Sequence, residues 1–215
     1  MILDYLFDNW PQVLDLALDH LELASLAVGL ALLLAMPLGI VASRIQGLTL
    51  PVLGILGALY TVPSLAFLAF LIPSLGLGRR PAIVMLAVYA QIFLVRNIIA
   101  GLRGVDAPTI EAARGVGMTD WQVFHRVRWP LALPIVIAGM RTALVTTISL
   151  ATVSAWINAG GLGTLLFTGI SRDNPPQILA GAIAIVALTL LADAAMRLVE
   201  RGTAVSRAGR AARRV

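Results

Sequence analysis

Residues 106–134 of this chain read DAPTIEAARGVGMTDWQVFHRVRWPLALP and separate two long apolar blocks. Asp106 is placed to cap a helix, and Pro108 is tolerated in its first turn because an N-terminal proline gives up no intrahelical hydrogen bond. Gly115 and Gly117 then loosen or end that helix. The polar stretch is therefore expected to begin with one short helix followed by a glycine turn.

A second short helix is predicted directly after this turn. Thr119 and Gln122 have the spacing of a capping box, which favours a helix over residues 120–128. Trp129 and Pro130 are expected to close it, since proline disfavours a helical conformation in the residue before it. The sequence thus predicts a helix, a glycine turn and a second helix at a membrane surface.

The composition indicates an integral membrane protein. The chain has 215 residues, of which 59% are hydrophobic and only 13% are charged, and its mean hydropathy is +0.92. A soluble domain carries about 25% charged residues. A chain this apolar is expected to lie mostly within a bilayer.

The composition also excludes several kinds of chemistry. All 16 basic residues are arginines, and the chain has no cysteine. Without lysine it carries no P-loop, whose lysine contacts the nucleotide phosphates, and without cysteine it offers no thiolate. His20 and His125 do not have the spacing of metal ligands. We therefore expect no catalytic residue, no metal, no cofactor and no nucleic-acid partner for this chain.

Five segments have the roughly 20 apolar residues that a membrane span needs. They are residues 23–42, 50–72, 82–102, 131–155 and 178–199. The first span is expected to break late, at Pro37. The second carries Pro51 and Pro63, and Thr61 and Ser64 can satisfy backbone groups that Pro63 frees. The fold class predicted is therefore all-α, a polytopic membrane protein with about five transmembrane helices.

The ends of the chain differ from the spans. Residues 1–22 are acidic and contain no arginine, so no signal peptide is expected. Their apolar spacing predicts a short amphipathic helix that lies in the interface, with His20 as an interfacial hydrogen-bonding residue. We expect residues 1–200 to form a single transmembrane domain and residues 201–215 to form a basic tail that is a topology and lipid anchor or a regulatory element.

The placement of arginine predicts the orientation of the spans. With the loop of about residues 103–130 inside, most arginines and the basic tail face the cytoplasm. The acidic N-terminus then faces out and the C-terminus lies in the cytoplasm. Arg79 and Arg80 are an exception, because this orientation leaves them outside in a short loop.

The central loop resembles a motif of a known family. Residues 111–113 (EAA), Gly117 and residues 127–130 (VRWP) are similar to the "EAA…G…I-x-L-P" loop of ABC importer permeases. Val127 and Trp129 depart from the usual Ile and Leu, but both are apolar. In that family the first helix of the loop seats in a groove on the cytoplasmic ATPase. The resemblance implies an ATPase-coupling role for six residues: Glu111, Ala112, Ala113, Gly117, Trp121 and Pro130. Spacing alone leaves an ordinary amphipathic connector as the alternative.

Further segments resemble the permeases of osmoprotectant importers, which carry glycine betaine, choline, carnitine and related quaternary amines. They are residues 61–66 (TVPSLA), 72–73 (IP), 96–97 (RN), 104–106 (GVD), 140–143 (MRTA) and 159–163 (AGGLG). The resemblance covers roughly residues 20–200. A permease for methionine or another small zwitterion is the alternative within the class, and an ATP-independent channel or secondary transporter is the alternative outside it.

The resemblance implies a type I ABC importer permease fold, a bacterial inner-membrane location and a set of partners. These are a second permease subunit, identical or different, two cytoplasmic ABC ATPase subunits and an external substrate-binding protein. ATP and magnesium would be bound by the ATPase, so this chain would itself be non-catalytic.

Aromatic faces hold quaternary ammonium groups best, and this chemistry suggests candidates for a substrate path. They are Tyr60, Ser64, Tyr89 and Trp156, with an interfacial aromatic belt as the alternative for the three aromatic residues. Arg141 lies within a span and is expected to pair with Asp193 or helix carbonyls, or else to contact solute. Residues 160–170 are either a gate, a platform for a binding protein or a plain glycine-rich turn, and they are the first candidate for an unrecognised sixth crossing.

Overall fold

The computed structural model describes residues 2–202, and this part of the chain is helical without a β-strand. Ten α-helices follow one another within it: α1 (Ile2–Asp8), α2 (Trp10–Arg44), α3 (Thr49–Thr61), α4 (Ser64–Leu75), α5 (Arg79–Arg103), α6 (Ala107–Gly115), α7 (Asp120–Val123), α8 (Trp129–Ser154), α9 (Gly163–Ser171) and α10 (Pro175–Gly202). Helices α2, α5 and α10, together with the continuous helical stretch that contains α8, are long and apolar enough to cross a membrane. The all-α prediction is confirmed. Of the basic tail, only residues 201 and 202 lie within the described residues.

Helix α5 lies at the centre of the bundle, between α2 and α8. In its most apolar stretch 67% of the residues are buried, against 33% in α2 and 11% in α10. Close approach is possible because glycines stand at the contacts: a methyl group added at Gly39 would lie 2.7 Å from Ile98, and one at Gly101 would lie 2.9 Å from the Ala132 carbonyl oxygen. Small residues let helix backbones approach closely within a membrane, where no hydrophobic effect drives them together.

Helices α3 and α4 form one bent span. Their axes differ by 92°, but their flanking helices show where the chain must go. Arg103, at the end of α5, donates to the Ala42 carbonyl at the end of α2 at 3.0 Å, whereas Arg79, at the start of α5, lies 3.0 Å from Glu22 of α2. The two helices are therefore parallel, and the α3–α4 pair must carry the chain back along the length of α5, about 37 Å. The predicted count of five spans follows.

The bend itself lies at Val62 and Pro63. Pro63 has no N–H to donate to the Leu59 carbonyl, and that carbonyl accepts from the Val62 N–H instead. The Thr61 hydroxyl donates to the Ala58 carbonyl at 2.7 Å. The Val62 carbonyl accepts from the Tyr89 hydroxyl of α5 at 2.5 Å. The predicted role of Thr61 is thus confirmed, whereas the second hydroxyl comes from Tyr89 and not from Ser64.

The helix that contains the first predicted span begins well before it. Helix α2 runs for 35 residues from Trp10 to Arg44 and passes through Pro37 without a break. A single missing hydrogen bond is tolerated there, whereas ending the helix within a bilayer would leave several backbone groups unsatisfied. The break at Pro37 is therefore wrong, whereas the membrane boundary at residue 22 stays a prediction. At about 52 Å, α2 is longer than a hydrocarbon core of about 30 Å, so about 22 Å of it lies outside the core.

The second helix of the central loop also ends differently from the prediction. Trp129 and Pro130 do not close it, because the chain stays helical from Asp120 to Ile157. Five residues, Phe124–Arg128, form a π-helical turn in which the Trp129 N–H bonds to the Phe124 carbonyl. The wider turn accommodates Pro130, which has no N–H and whose ring would otherwise clash with the preceding turn.

The glycine-rich segment is a compact packed element and does not cross the membrane. Helix α9 has nine residues, about 13 Å, too short to span a bilayer. His20 is fully buried and holds this segment: its Nδ1 accepts from the Leu162 N–H at 3.1 Å, and its Nε2 lies 2.8 Å from the Ile148 carbonyl oxygen. Gly161 has φ of +78°, and a side chain there would meet the imidazole at 2.8 Å. The predicted hydrogen-bonding role of His20 is confirmed.

Two glycines provide a matched test of helix packing. A methyl group at Gly139 of α8 would overlap the side chain of Asn97, whereas one at Gly29 of α2 would meet nothing within 4 Å. We expect Gly139→Ala to destabilise the bundle by about 1–3 kcal/mol through overpacking, and Gly29→Ala to be neutral or slightly stabilising. Thermal unfolding in one detergent measures both, and equal midpoints for the two variants would contradict the packing described for α5 and α8.

Candidate functional site

The central loop folds as two short helices joined by a tight turn. Asp106 caps α6: its Oδ2 accepts from the Thr109 hydroxyl at 2.8 Å and from the Thr109 N–H at 3.1 Å. These two hydrogen bonds, the hydroxyl first, lower the pKa of Asp106. The carboxylate is therefore charged at neutral pH and favourably placed at a helix N-terminus.

The turn between α6 and α7 requires glycine at one position. Gly117 has φ of +87°, while Gly115 remains the last residue of α6. Helix α7 starts with the predicted capping box, in which the Thr119 N–H donates to Gln122 Oε1 at 2.9 Å and the Gln122 N–H donates to the Thr119 hydroxyl at 3.4 Å. The geometry of the loop is thus set by local sequence.

The two helices have their own small core and an exposed outer side. Ile110 and Ala113 of α6 are buried together with Val123 of α7. Val116 and Trp121 point outward, with 77% and 71% of their surfaces exposed. We call the exposed residues Glu111, Ala112, Val116 and Trp121 the α6–α7 surface. Apolar side chains exposed together among charges are candidates for contact with another protein or with the membrane.

The six predicted coupling residues do not all lie on the α6–α7 surface. Glu111, Ala112 and Trp121 lie on the α6–α7 surface, and Gly117 forms the turn beside it. Ala113 is buried beneath it, and Pro130 lies in the first turn of α8. The sequence pattern missed Val116, which the exposed position next to Gly117 now adds. The sequence feature that could have indicated Val116 is its position as an apolar residue between Gly115 and Gly117.

Two of the predicted path residues come together in an aromatic cluster. The rings of Tyr60 and Tyr89 meet edge to face with centroids 5.6 Å apart. Phe67 stacks on Tyr89 at 5.7 Å, and Phe93 meets Tyr60 at 5.3 Å. Tyr89 is only 3% exposed, whereas Tyr60 is 39% exposed. Within the cluster Tyr60 is the exposed ring, Phe67 and Phe93 are half-buried, and Tyr89 is buried.

The other two predicted path residues lie apart. Ser64 is the first residue of α4, beyond the bend that follows Tyr60. Trp156 lies in a short turn after α8 and is 65% exposed. Sequence reasoning missed Phe67 and Phe93; the signal for Phe93 was its position four residues after Tyr89, one turn further along the same helix face.

A charge network joins α8 to α10. Arg141 lies 3.5 Å from Asp193 and 3.1 Å from Glu200, and Arg197 lies 2.7 Å from Asp193. The predicted pairing of Arg141 with Asp193 is confirmed, and Glu200 is an additional partner, two helical turns further along α10. The pairing offsets the cost of placing an arginine within a span.

Within residues 2–202 no cluster of histidine and carboxylate side chains has the geometry of a metal site. The structure thus offers two candidate functional features, the exposed α6–α7 surface at one end and an aromatic cluster beside the bent span.

The chain matches a protein family over most of its length. The pattern of the family described as "Binding-protein-dependent transport system inner membrane component" matches residues 27–205. The chain is 40% identical over 199 residues to the carnitine transport permease protein OpuCB of Listeria monocytogenes, covering 93% of this chain and 91% of that protein. It is 36% identical over 200 residues to the glycine betaine/carnitine/choline transport system permease protein OpuCB of Bacillus subtilis, covering 93% and 92%. It is 39% identical over 194 residues to the osmoprotectant import permease protein OsmW of Salmonella typhimurium, covering 88% and 90%.

Solved structures show the same fold. A chain of an inward-facing MetNI methionine ABC transporter superposes with a TM-score of 0.76 at 22% identity, covering 89% of this chain and 95% of that one. A chain of an amino acid ABC transporter with histidines superposes with a TM-score of 0.75 at 18% identity, covering 92% and 96%. The fold predicted from the sequence, that of an ABC importer permease, is confirmed.

Proposed function

This chain belongs to the family of binding-protein-dependent transport system inner membrane components, and on that premise we propose that it is a permease for quaternary-amine osmoprotectants such as glycine betaine, choline or carnitine. The observation that carries the proposal is the identity of 36–40% to permeases named for these solutes over about nine-tenths of the chain. The likeness to a methionine transporter, at 22% identity, concerns the fold and does not favour methionine as the solute.

We propose that the α6–α7 surface is the contact for a cytoplasmic ATPase. It presents Val116 and Trp121 to solvent on a helix pair that its own caps and core hold rigid. Helix α7 continues through the π-helical turn into α8 without a break. A displacement of α7 by the ATPase is therefore carried into α8, and from Gly139 of α8 to Asn97 of α5, at the centre of the bundle.

The assembly we propose contains a second permease subunit, two ATPase subunits and an external substrate-binding protein. The bent α3–α4 span and helix α10 leave large apolar side chains exposed, among them Leu50, Phe70 and Leu191. Such faces suit lipid or a second permease subunit, identical or different, and the solute path would lie between the two subunits. ATP and magnesium would bind to the ATPase, and this chain would need no cofactor.

The aromatic cluster suits a transient contact with a cation. Tyr60 exposes part of its ring, whereas Tyr89 is buried and uses its hydroxyl to hold the bend at Val62. A single exposed tyrosine gives at most one cation–π contact, worth about 0.5–2 kcal/mol. We therefore infer that this subunit supplies a weakly selective path and that the binding protein selects the solute.

The orientation we propose has the N-terminus outside and the C-terminus in the cytoplasm. Five crossings place the ends on opposite sides, and the arginine bias puts the α6–α7 surface inside. Of the two exceptions to that bias, Arg79 lies 3.0 Å from Glu22, so its charge is compensated locally, and Arg80 is exposed.

The coupling role predicts a difference between two glycines of the loop. Gly117→Val should uncouple transport from ATP hydrolysis, because a β-branched residue resists φ of +87°. Glu111→Lys should do the same by reversing a charge on the contact surface. Gly115→Ala is the control, since Gly115 is helical and a methyl group there would meet nothing within 4 Å. Solute-stimulated ATPase activity in the assembled transporter is the measurement, and normal stimulation in Gly117→Val and Glu111→Lys would remove the coupling role.

The orientation predicts reagent access at each end of the chain. A tag at the N-terminus should be labelled by an impermeant reagent in intact cells, and a tag at the C-terminus only after permeabilisation. Labelling of both ends from one side would contradict five crossings and the parallel arrangement of α2 and α5.

A weakly selective path in this subunit predicts how solutes compete for uptake. Tyr60→Ala and Trp156→Ala should lower maximal uptake in reconstituted vesicles without changing the order in which glycine betaine, choline, carnitine and methionine compete. Tyr89→Ala should also destabilise the bend at Val62, because it removes that carbonyl's partner. A changed order of competition, with the binding protein kept the same, would place selectivity in the permease.

A further inference from the structure

A cavity of about 290 Å³ lies between the central loop and the end of the helix bundle. It is lined by Arg44, Arg114, Asp120, Trp121, Val123, Phe124 and Arg128. Three arginines against one aspartate give the lining a net positive charge, and two aromatic rings form part of its wall. Trp121 also belongs to the α6–α7 surface, whereas the three lining arginines have no role in the proposals above.

The arginines near the cavity differ in whether they already have an interaction partner within this chain. Arg114 is 2.9 Å from Asp120, and the Arg44 guanidinium lies over the Phe124 ring, 5.1 Å from its centroid. Arg103 lies at the same end of the bundle and donates hydrogen bonds to the carbonyls of Ala42 and Ser43. Each of these three cations is therefore held by a group of this chain.

Arg128 is held by no such group. Its Nε is buried without a hydrogen-bond partner, and within residues 2–202 its guanidinium makes no hydrogen bond or ion pair. An arginine that is partly removed from water without a counter-charge is costly. A ligand with anionic oxygens would remove this cost, because guanidinium groups bind phosphate oxygens through paired, charge-assisted hydrogen bonds.

The position of the cavity favours a membrane lipid. Arg44 ends α2, and Arg128 directly precedes α8, so the lining spans the end of the bundle at which two membrane helices meet water. Trp129 lies beside this lining, with its ring centroid 6.4 Å from that of Phe124, and tryptophan is enriched at the membrane interface. Basic pockets between helices on the cytoplasmic side bind the phosphate groups of anionic lipids.

We propose that this cavity binds the phosphate headgroup of an anionic phospholipid. Arg128 and Arg44 hold the phosphate, Phe124 keeps the Arg44 guanidinium in place, and the acyl chains extend along the apolar side of the bundle. The bound headgroup bridges α2 to the π-helical turn, and so it stiffens the junction between the central loop and α8.

The test measures lipid retention by the full chain. Native mass spectrometry of the purified protein, titrated with phosphatidylglycerol or with diacylglycerol, which lacks the phosphate, should show a preference of about tenfold for phosphatidylglycerol, the size expected for a hydrogen-bonded charge pair. Arg128→Gln should abolish that preference and Arg44→Gln should weaken it. Arg128→Lys, which keeps the charge, should retain part of it, and an unchanged thermal midpoint of Arg128→Gln shows that its loss of lipid is not a failure to fold.

Arg126→Gln is the matched control. Arg126 lies in the same π-helical turn and is exposed, but it does not line the cavity, so its variant should bind phosphatidylglycerol as the unmodified chain does. A preference that survives in Arg128→Gln would overturn the proposal.

Two further outcomes would assign the cavity to another ligand. If inorganic phosphate displaces phosphatidylglycerol at equal concentration, the site takes a soluble phosphate and the lipid assignment is wrong. If Arg128→Gln retains lipid normally but loses the co-purifying ATPase subunit, the cavity receives an acidic side chain of that subunit, and the lipid proposal is again overturned.

Discussion

The close approach of α2, α5 and α8 is the constraint on which the rest of this structure depends. Glycines at positions 39, 101 and 139 lie against side chains or backbone of a neighbouring helix, with no room for a methyl group. In a bilayer the lipid is as apolar as the side chains, so van der Waals contact has to hold the helices together. The bent span, the glycine-rich segment and α10 are then arranged around this three-helix centre.

The connection from the central loop to that centre has no hinge of irregular backbone. The helical stretch Asp120–Ile157 contains α7, the π-helical turn and α8, and the turn resolves the conflict between Pro130 and a regular helix. A stiff connection transmits displacement, whereas a loop would absorb it. This physical property suits a subunit whose movements are driven from outside the membrane.

Polar groups inside the bundle are paired in ways that join separate elements. His20 connects α2 to α8 and to the segment before α9 through two backbone groups. Arg141 joins α8 to α10 through Asp193 and Glu200. These contacts matter most where water is absent, because a polar or charged side chain left there without a partner would cost free energy. They restrict how the outer helices sit on the centre.

The sequence by itself determined the properties that depend on short-range chemistry. Composition and apolar length indicated a membrane protein with five spans, and the cap at Asp106 and the capping box at Thr119 predicted both loop helices, because each rests on residues three positions apart. The motif at residues 111–117 indicated the family. Only the tertiary structure decided the properties that depend on distant neighbours: the passage of α2 through Pro37, the contact of Tyr89 with Val62, the role of Glu200 and the unpaired Arg128. Partners 27 to 142 residues apart in sequence meet only when the helices pack, and periodicity contains no information about which helix faces which.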